Sequence, residues 1–169
     1  PKGEFAWFFK RMRLAYRRGS FLFVHAGVDD RTAKLINRKG VKQLNRQFAE
    51  HVEDEFFEFY YGPLANTIRT KYRDVDMPLT RKGVELMHDA GIHVIVHGHA
   101  NRHHGQRIVL RKGMVNFECD ATIDRHSREK EGLQGEGAAV TIFHPERLVM
   151  GVSTDYPSIK VFDPAMFDK

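Results

Sequence analysis

An α/β fold is the architecture this sequence predicts, and three observations predict it. The stretch Gly91-Ile92-His93-Val94-Ile95-Val96-His97-Gly98-His99-Ala100 is an apolar, β-branched run ending in histidines split by glycine, the pattern of a buried strand. An upstream stretch, Phe21-Leu22-Phe23-Val24-His25-Ala26-Gly27-Val28, repeats the scheme of apolar strand, histidine, small residue and glycine. Between them lie segments whose apolar residues recur every three or four positions, as on one face of a helix. Strands alternating with helices place ligand sites at the carboxyl ends of the strands. Both histidine clusters are expected to face one such site.

Size and composition set the frame. The 169 residues suffice for one domain with a sizeable core. Hydrophobic residues make up 41% and charged residues 29%, so a soluble globular class is the expectation. No apolar run approaches the ~20 residues of a membrane helix. The formal charge of +5 mildly favours anionic partners, such as phosphorylated substrates or nucleic acid, but the excess is small and dispersed and carries little weight, and nucleic acid is not the expected partner. The lone cysteine, Cys119, excludes an internal disulfide and fits a reducing, cytoplasmic setting.

In chain order, residues 4–18 carry Phe5, Phe8, Met12 and Ala15 at helical spacing, with Gly19 as a stop. A strand is expected over 20–25. Thr32 is a candidate cap for a short helix over 33–38 that Gly40 breaks. Residues 41–60 predict the longest helix, with Val41, Leu44, Phe48, Val52, Phe56 and Phe59 on one stripe. His51 reads as a solvated member of that helix. Tyr61-Gly62-Pro63 ends it, and 63–79 reads as irregular or weakly helical. Thr80 caps a helix over Arg81 to Ala90 closed by Gly91, and the strand 92–97 follows.

Beyond that point strands are expected at Arg107–Leu110, Met114–Cys119, Ala138–Phe143 and Leu148–Ser153, with Arg111-Lys112-Gly113 as a turn. Asp120 to Gly137 reads as a long polar loop of the kind that often carries function. The tail 154–169 reads as one more extended segment and a frayed end.

Five of the ten histidines, His93, His97, His99, His103 and His104, fall within twelve positions. Neutral imidazole is the commonest ligand for first-row metals. The alternative is a histidine-rich turn that only stabilises its own loop. Regular strand alternation would set His97 and His99, and His93 with them, on one side, but Gly98 interrupts it. Cys119 has no C-x-x-C partner, and neither a G-x-S-x-G elbow nor a phosphate-cradling G-x-x-x-x-G-K occurs. Asp29-Asp30 read as helix-capping acceptors or as support for neighbouring ligands.

Taken together, Phe23-Val24-His25-Ala26-Gly27 and Val96-His97-Gly98-His99, with 74 positions from His25 to His99, resemble the V-H-[GA]-G and G-H motifs of the calcineurin-like metallophosphoesterases. The branch resembled is that of the serine/threonine phosphatases and symmetrical diadenosine-tetraphosphatases, over residues 20–153. The resemblance implies the C-terminal part of an α/β sandwich of two sheets flanked by helices, with residues 1–169 as one domain portion. It implies a metal-dependent phosphoesterase whose two divalent cations (manganese, iron or zinc) activate a hydroxide to attack phosphorus. His25 and His99 would then ligate one metal. Asn101 stands where many members have a further histidine. His97 would be a substrate or supporting group, and Arg125 and His126 are candidate phosphate contacts on chemical grounds.

The partner implied is a phosphorylated protein or nucleotide. The family's G-D-x-x-D-R-G and G-N-H-[DE] motifs do not occur here, and no D-x-H precedes the two histidine strands; the one D-x-H, Asp124-Arg125-His126, lies after them. With Pro1 as the first residue, the expectation is that this is the carboxyl-terminal part of an enzyme and inactive alone. Two alternatives stand beside it: a dinucleoside polyphosphate hydrolase of the same family, and a non-catalytic module that binds a protein or an anion.

Overall fold

In a computed structural model the residues described are 3–54, 56–69, 79–99, 104–146 and 148–163. The chain is a mixed α/β protein with two sheets. Six helices, α1 (Ala6–Arg11), α2 (Asp30–Asp54), α3 (Phe56–Tyr61), α4 (Asn66–Arg69), α5 (Arg81–Asp89) and α6 (Arg125–Glu131), are found among those residues. The strands are β1 (Ala15–Arg18), β2 (Phe21–Val24), β3 (Val94–His97), β4 (Arg107–Arg111), β5 (Met114–Glu118), β6 (Ala139–Phe143), β7 (Val149–Ser153) and β8 (Tyr156–Phe162). The larger sheet has the order β1-β2-β3-β5-β4 and the smaller β6-β7-β8. The chain divides into two compact units, residues 1–99 with 110–116, and residues 100–109 with 117–169.

In the first unit, β2 pairs in parallel with β3, with Phe23 opposite Val96. One face of that pair, carrying Leu22, Val24 and Ile95, is buried in a cluster with Ile36 and Leu44 of α2 and Val84 and Met87 of α5. Parallel strands need such cover. Burying a Leu or Ile side chain contributes about 1.5–3 kcal/mol, so this cluster is what seats the strand ends. Thr80 caps α5 as its sequence predicts, accepting from the Gly83 amide at 3.4 Å. Its own amide and hydroxyl both donate to Asp30 at 2.7 Å, tying α5 to the start of α2.

Two expectations change in this unit. The helix over 4–18 is confined to Ala6–Arg11, and residues 15–18 form the edge strand β1, antiparallel to β2. The reason is tertiary. Asn45 accepts from the Ala15 amide at 3.0 Å and donates to the Ala15 carbonyl at 2.8 Å, holding that backbone extended against α2. Second, Asp29 and not Thr32 caps α2: its carboxylate accepts from the Thr32 amide at 2.8 Å, and its carbonyl accepts from the Ala33 amide at 2.9 Å. The break expected at Gly40 is present: its backbone is non-helical (φ 75°, ψ 170°), so α2 consists of two helical segments meeting at that glycine. The outward side of the stripe at Phe56, residues 70–78 and the frayed end over 164–169 lie outside the described residues or side chains.

In the second unit β6, β7 and β8 form an antiparallel meander with Val140 opposite Val152 and Met150 opposite Val161. Phe117 meets Phe143 and Phe162 edge-on, each at 5.6 Å. The loop expected over 120–137 instead contains α6, capped by Asp124, which accepts from the Ser127 amide at 2.8 Å, and ended by Gly132 in the left-handed region at φ 66°. Buried Arg128 organises the rest of that segment. Its guanidinium donates to the carbonyls of Ala121 (2.8 Å), Thr122 (2.9 Å), Gly135 (3.1 Å) and Gln134, and to the Asp155 carboxylate (2.9 Å). Asp155 in turn accepts the amides of Glu136 and Gly137. Among the described residues no helix is long and apolar enough to cross a membrane.

Candidate functional site: a pair of imidazoles at two strand ends

β2 and β3 run side by side in the same direction, so their carboxyl ends arrive together. His25 follows Val24 directly and His99 stands two residues past His97. The Gly98 amide donates to the His25 carbonyl at 2.9 Å, continuing the pairing one step beyond the strands. The two rings come to 5.1 Å between centroids at 57°. His99 occupies the left-handed region at φ 63°, where non-glycine residues are uncommon and cluster at functional positions. That turn is how the ring leaves the alternation of β3 and faces His25. His25 is exposed, whereas His99 is half-buried with its Nε2 covered, so the pair meets solvent through the His25 ring.

A buried polar brace stands behind the loop. The Ala26 amide donates to the Thr67 carbonyl at 2.9 Å. Asp29, 2% exposed, accepts from Asn66 Nδ2 at 2.9 Å through its second oxygen. One carboxylate therefore caps α2 and ties α4 to the segment that carries His25. Asn66 sits in the stretch read as irregular. Its only signal in the sequence is a polar amide beside a Gly62-Pro63 turn.

Of the other candidates, His97 ends β3 and is buried, with Nδ1 at 3.0 Å from the Gly98 carbonyl oxygen. His93 is exposed, its ring 4.8 Å from that of His88. Arg125 and His126 belong to the second unit, in the first turn of α6. Arg125 pairs with Glu129 at 2.7 Å across one helical turn. His104 reaches the Asp155 carbonyl at 3.3 Å. Asn101 and His103 lie outside the described residues.

Cys119 is half-buried and accepts a hydrogen bond from the Thr141 hydroxyl at 3.3 Å. Burial pushes its thiol above the ordinary range, the Thr141 hydrogen bond opposes this, and the charge of Glu118 adds to the rise. It stays protonated at neutral pH, the opposite of an activated nucleophile.

No family model matches this chain, and no curated protein does. Solved structures do match. The crystal structure of a cold-active protein-tyrosine phosphatase of the psychrophile Shewanella sp. is 12% identical, with a TM-score of 0.56, over 91% of this chain and 44% of that one. A point mutant titled cold-active protein tyrosine phosphatase gives 13% and 0.57 over 91% and 44%. A further structure of a cold-active protein tyrosine phosphatase gives 13% and 0.56 over 90% and 42%. The likeness is one of fold, and the chain spans less than half the length of these solved chains.

Two expectations are corrected here. The matching solved chains are titled protein-tyrosine phosphatases and not calcineurin-like metallophosphoesterases. A strand ending in histidine, small residue and glycine is too short a pattern to carry a family. The two-metal centre, with manganese, iron or zinc, is corrected with it. His25 and His99 supply two donors, and among the described residues no group of three or more His, Cys, Asp or Glu side chains is placed to hold a metal ion. Two imidazoles fall short of the four or more donors that such ions take.

Proposed function

We propose that this chain is part of a phosphatase and that His25 and His99 bind the phosphoryl group of its substrate. The observation that carries the reading is the convergence of the two rings at 5.1 Å, at the carboxyl ends of adjacent parallel strands. The fold shared with solved phosphatases supports it. An imidazole N–H donates to a phosphoryl oxygen in a charge-assisted hydrogen bond, shorter and stronger than a neutral one. Two rings at this separation can hold two oxygens of one phosphoryl group and stabilise charge there as the ester bond breaks. A phosphorylated protein is the favoured substrate, because the matching structures are named for acting on protein tyrosine.

The test is a titration of the histidine side-chain NMR signals with inorganic phosphate. The rings of His25 and His99 are expected to shift together along one binding curve, and either His25→Ala or His99→Ala to weaken binding at least about tenfold. Rings that stay still, or that shift no more than exposed His144, refute the site. Hydrolysis of an aryl phosphate by the natural polypeptide, and its loss in the same variants, tests the catalytic half.

A further inference from the structure

We infer that the cavity between β1 and the middle of α2 binds a small molecule carrying two phosphate groups. The cavity has a volume of about 560 Å³, within the range of small-molecule sites. Arg13, Arg17, Lys39 and Lys42 line it together with Tyr16 and Asn45, and no carboxylate does. All six belong to the first unit. Neither His25 nor His99 borders it: the cavity lies along the edge strand, whereas the imidazoles stand at the ends of β2 and β3.

The walls are built and not incidental. The reciprocal hydrogen bonds between Asn45 and the Ala15 backbone staple β1 to α2, which sets Arg13 and Arg17 opposite Lys39 and Lys42. Gly40 turns the chain between the two lysines at a positive φ that other residues resist. The Arg17 guanidinium is held by two carbonyls, Gly19 at 2.8 Å and Gly91 at 3.1 Å. Among the described residues none of the four cations pairs with a carboxylate.

Four like charges around one concavity repel each other, and a concave wall focuses their field. An anion relieves that repulsion. A phosphate group carries about −1.5 to −2 at neutral pH, so two such groups match four cations where one does not. Arg17, whose Nε and Nη2 already donate to carbonyls, keeps Nη1 for a phosphate oxygen, and the lysines supply point charges.

The experiment uses inorganic pyrophosphate as probe, with calorimetry and backbone amide NMR on the whole chain. The amides of residues 17–19 and 39–42 are expected to shift, and pyrophosphate to bind at least about tenfold more tightly than orthophosphate. Raising salt from about 0.05 to 0.5 M should weaken binding several-fold. The double change Lys39→Ala with Lys42→Ala removes two exposed side chains and should weaken pyrophosphate at least about tenfold without moving the thermal melt. Single Lys42→Glu serves the same purpose if the double variant melts early. Arg46→Ala, which takes away an exposed cation off the cavity, should leave binding unchanged. Equal affinity for sulfate and pyrophosphate, equal loss in Arg46→Ala, or pyrophosphate binding that leaves the amides of residues 17–19 and 39–42 still would each overturn the inference.

Discussion

Asp29 is where stability and site geometry are most tightly joined, and replacing it should show both. One carboxylate oxygen caps α2 through the Thr32 amide, and the other takes the Asn66 side chain. Losing an N-cap costs about 1 kcal/mol, within about 0.5–2. Losing a buried hydrogen bond to a charged acceptor costs about 1.5–3 kcal/mol and leaves Asn66 short of a partner. Asp29→Ala is therefore expected to destabilise the chain by about 2–4 kcal/mol. Asp29→Asn keeps an oxygen for the Thr32 amide and can still meet Asn66 if that amide turns over, so it should cost about 1 kcal/mol. Urea unfolding followed by far-UV circular dichroism measures the difference. Because Thr67, next to Asn66, holds the Ala26 amide, the His25 ring signal should also move in Asp29→Ala. Equal losses for the two variants, or a loss under about 0.5 kcal/mol in Asp29→Ala, would refute this account of the brace.

Two further outcomes follow from titrating groups. Cys119 should react slowly with a thiol reagent at neutral pH, at least about tenfold slower than in the urea-unfolded chain, and Cys119→Ser should leave aryl phosphate turnover unchanged. Fast labelling or loss of turnover would show an activated thiol. The Asp124 carboxyl is held below its ordinary value, chiefly by the Ser127 backbone amide that it caps. A lowered folded-state value means the stabilisation is fully present above the unfolded-state pKa and is lost as pH falls through the folded one. The Ser127 amide signal should therefore hold steady on acidification until below about pH 3.9, and an inflection above that point would contradict the cap.

What was legible in the sequence is what local chemistry writes. Thr80 announces a helix start because a hydroxyl before a helical stripe satisfies an otherwise unpaired amide, and that is its role. The β-branched run before His97 reads as a strand because few other structures bury it. By the same logic α6 was readable, since Asp124 three residues before Ser127 and Gly132 after Glu131 are start and stop signals. They were hidden only by the polarity of the segment. β1 was not readable. Ala15 to Arg18 has no strand-like alternation of apolar residues, and it is extended because Asn45, thirty positions later, grips its backbone. The basic cavity is hidden for the same reason: Arg13 and Lys42 are far apart in number, and only the staple between β1 and α2 brings their charges together.

The imidazole pair shows how far a strand argument reaches. Two strands that each end in histidine say nothing of proximity until they are neighbours, parallel and in register. Here Phe21 faces Val94 and Phe23 faces Val96, so both ends fall at one level of the sheet. A slip of one residue would turn Leu22 and Val24 out of the core and rotate the start of the His25 loop to the other face. The buried cluster of Leu22, Val24 and Ile95 forbids that slip. Apolar residues that never touch a ligand thereby fix the 5.1 Å between the rings. The number of donors around the pair is a different matter, because additional donors must come from segments whose approach no local pattern records. Convergence of His25 and His99 could be inferred from the strands; a metal centre could not.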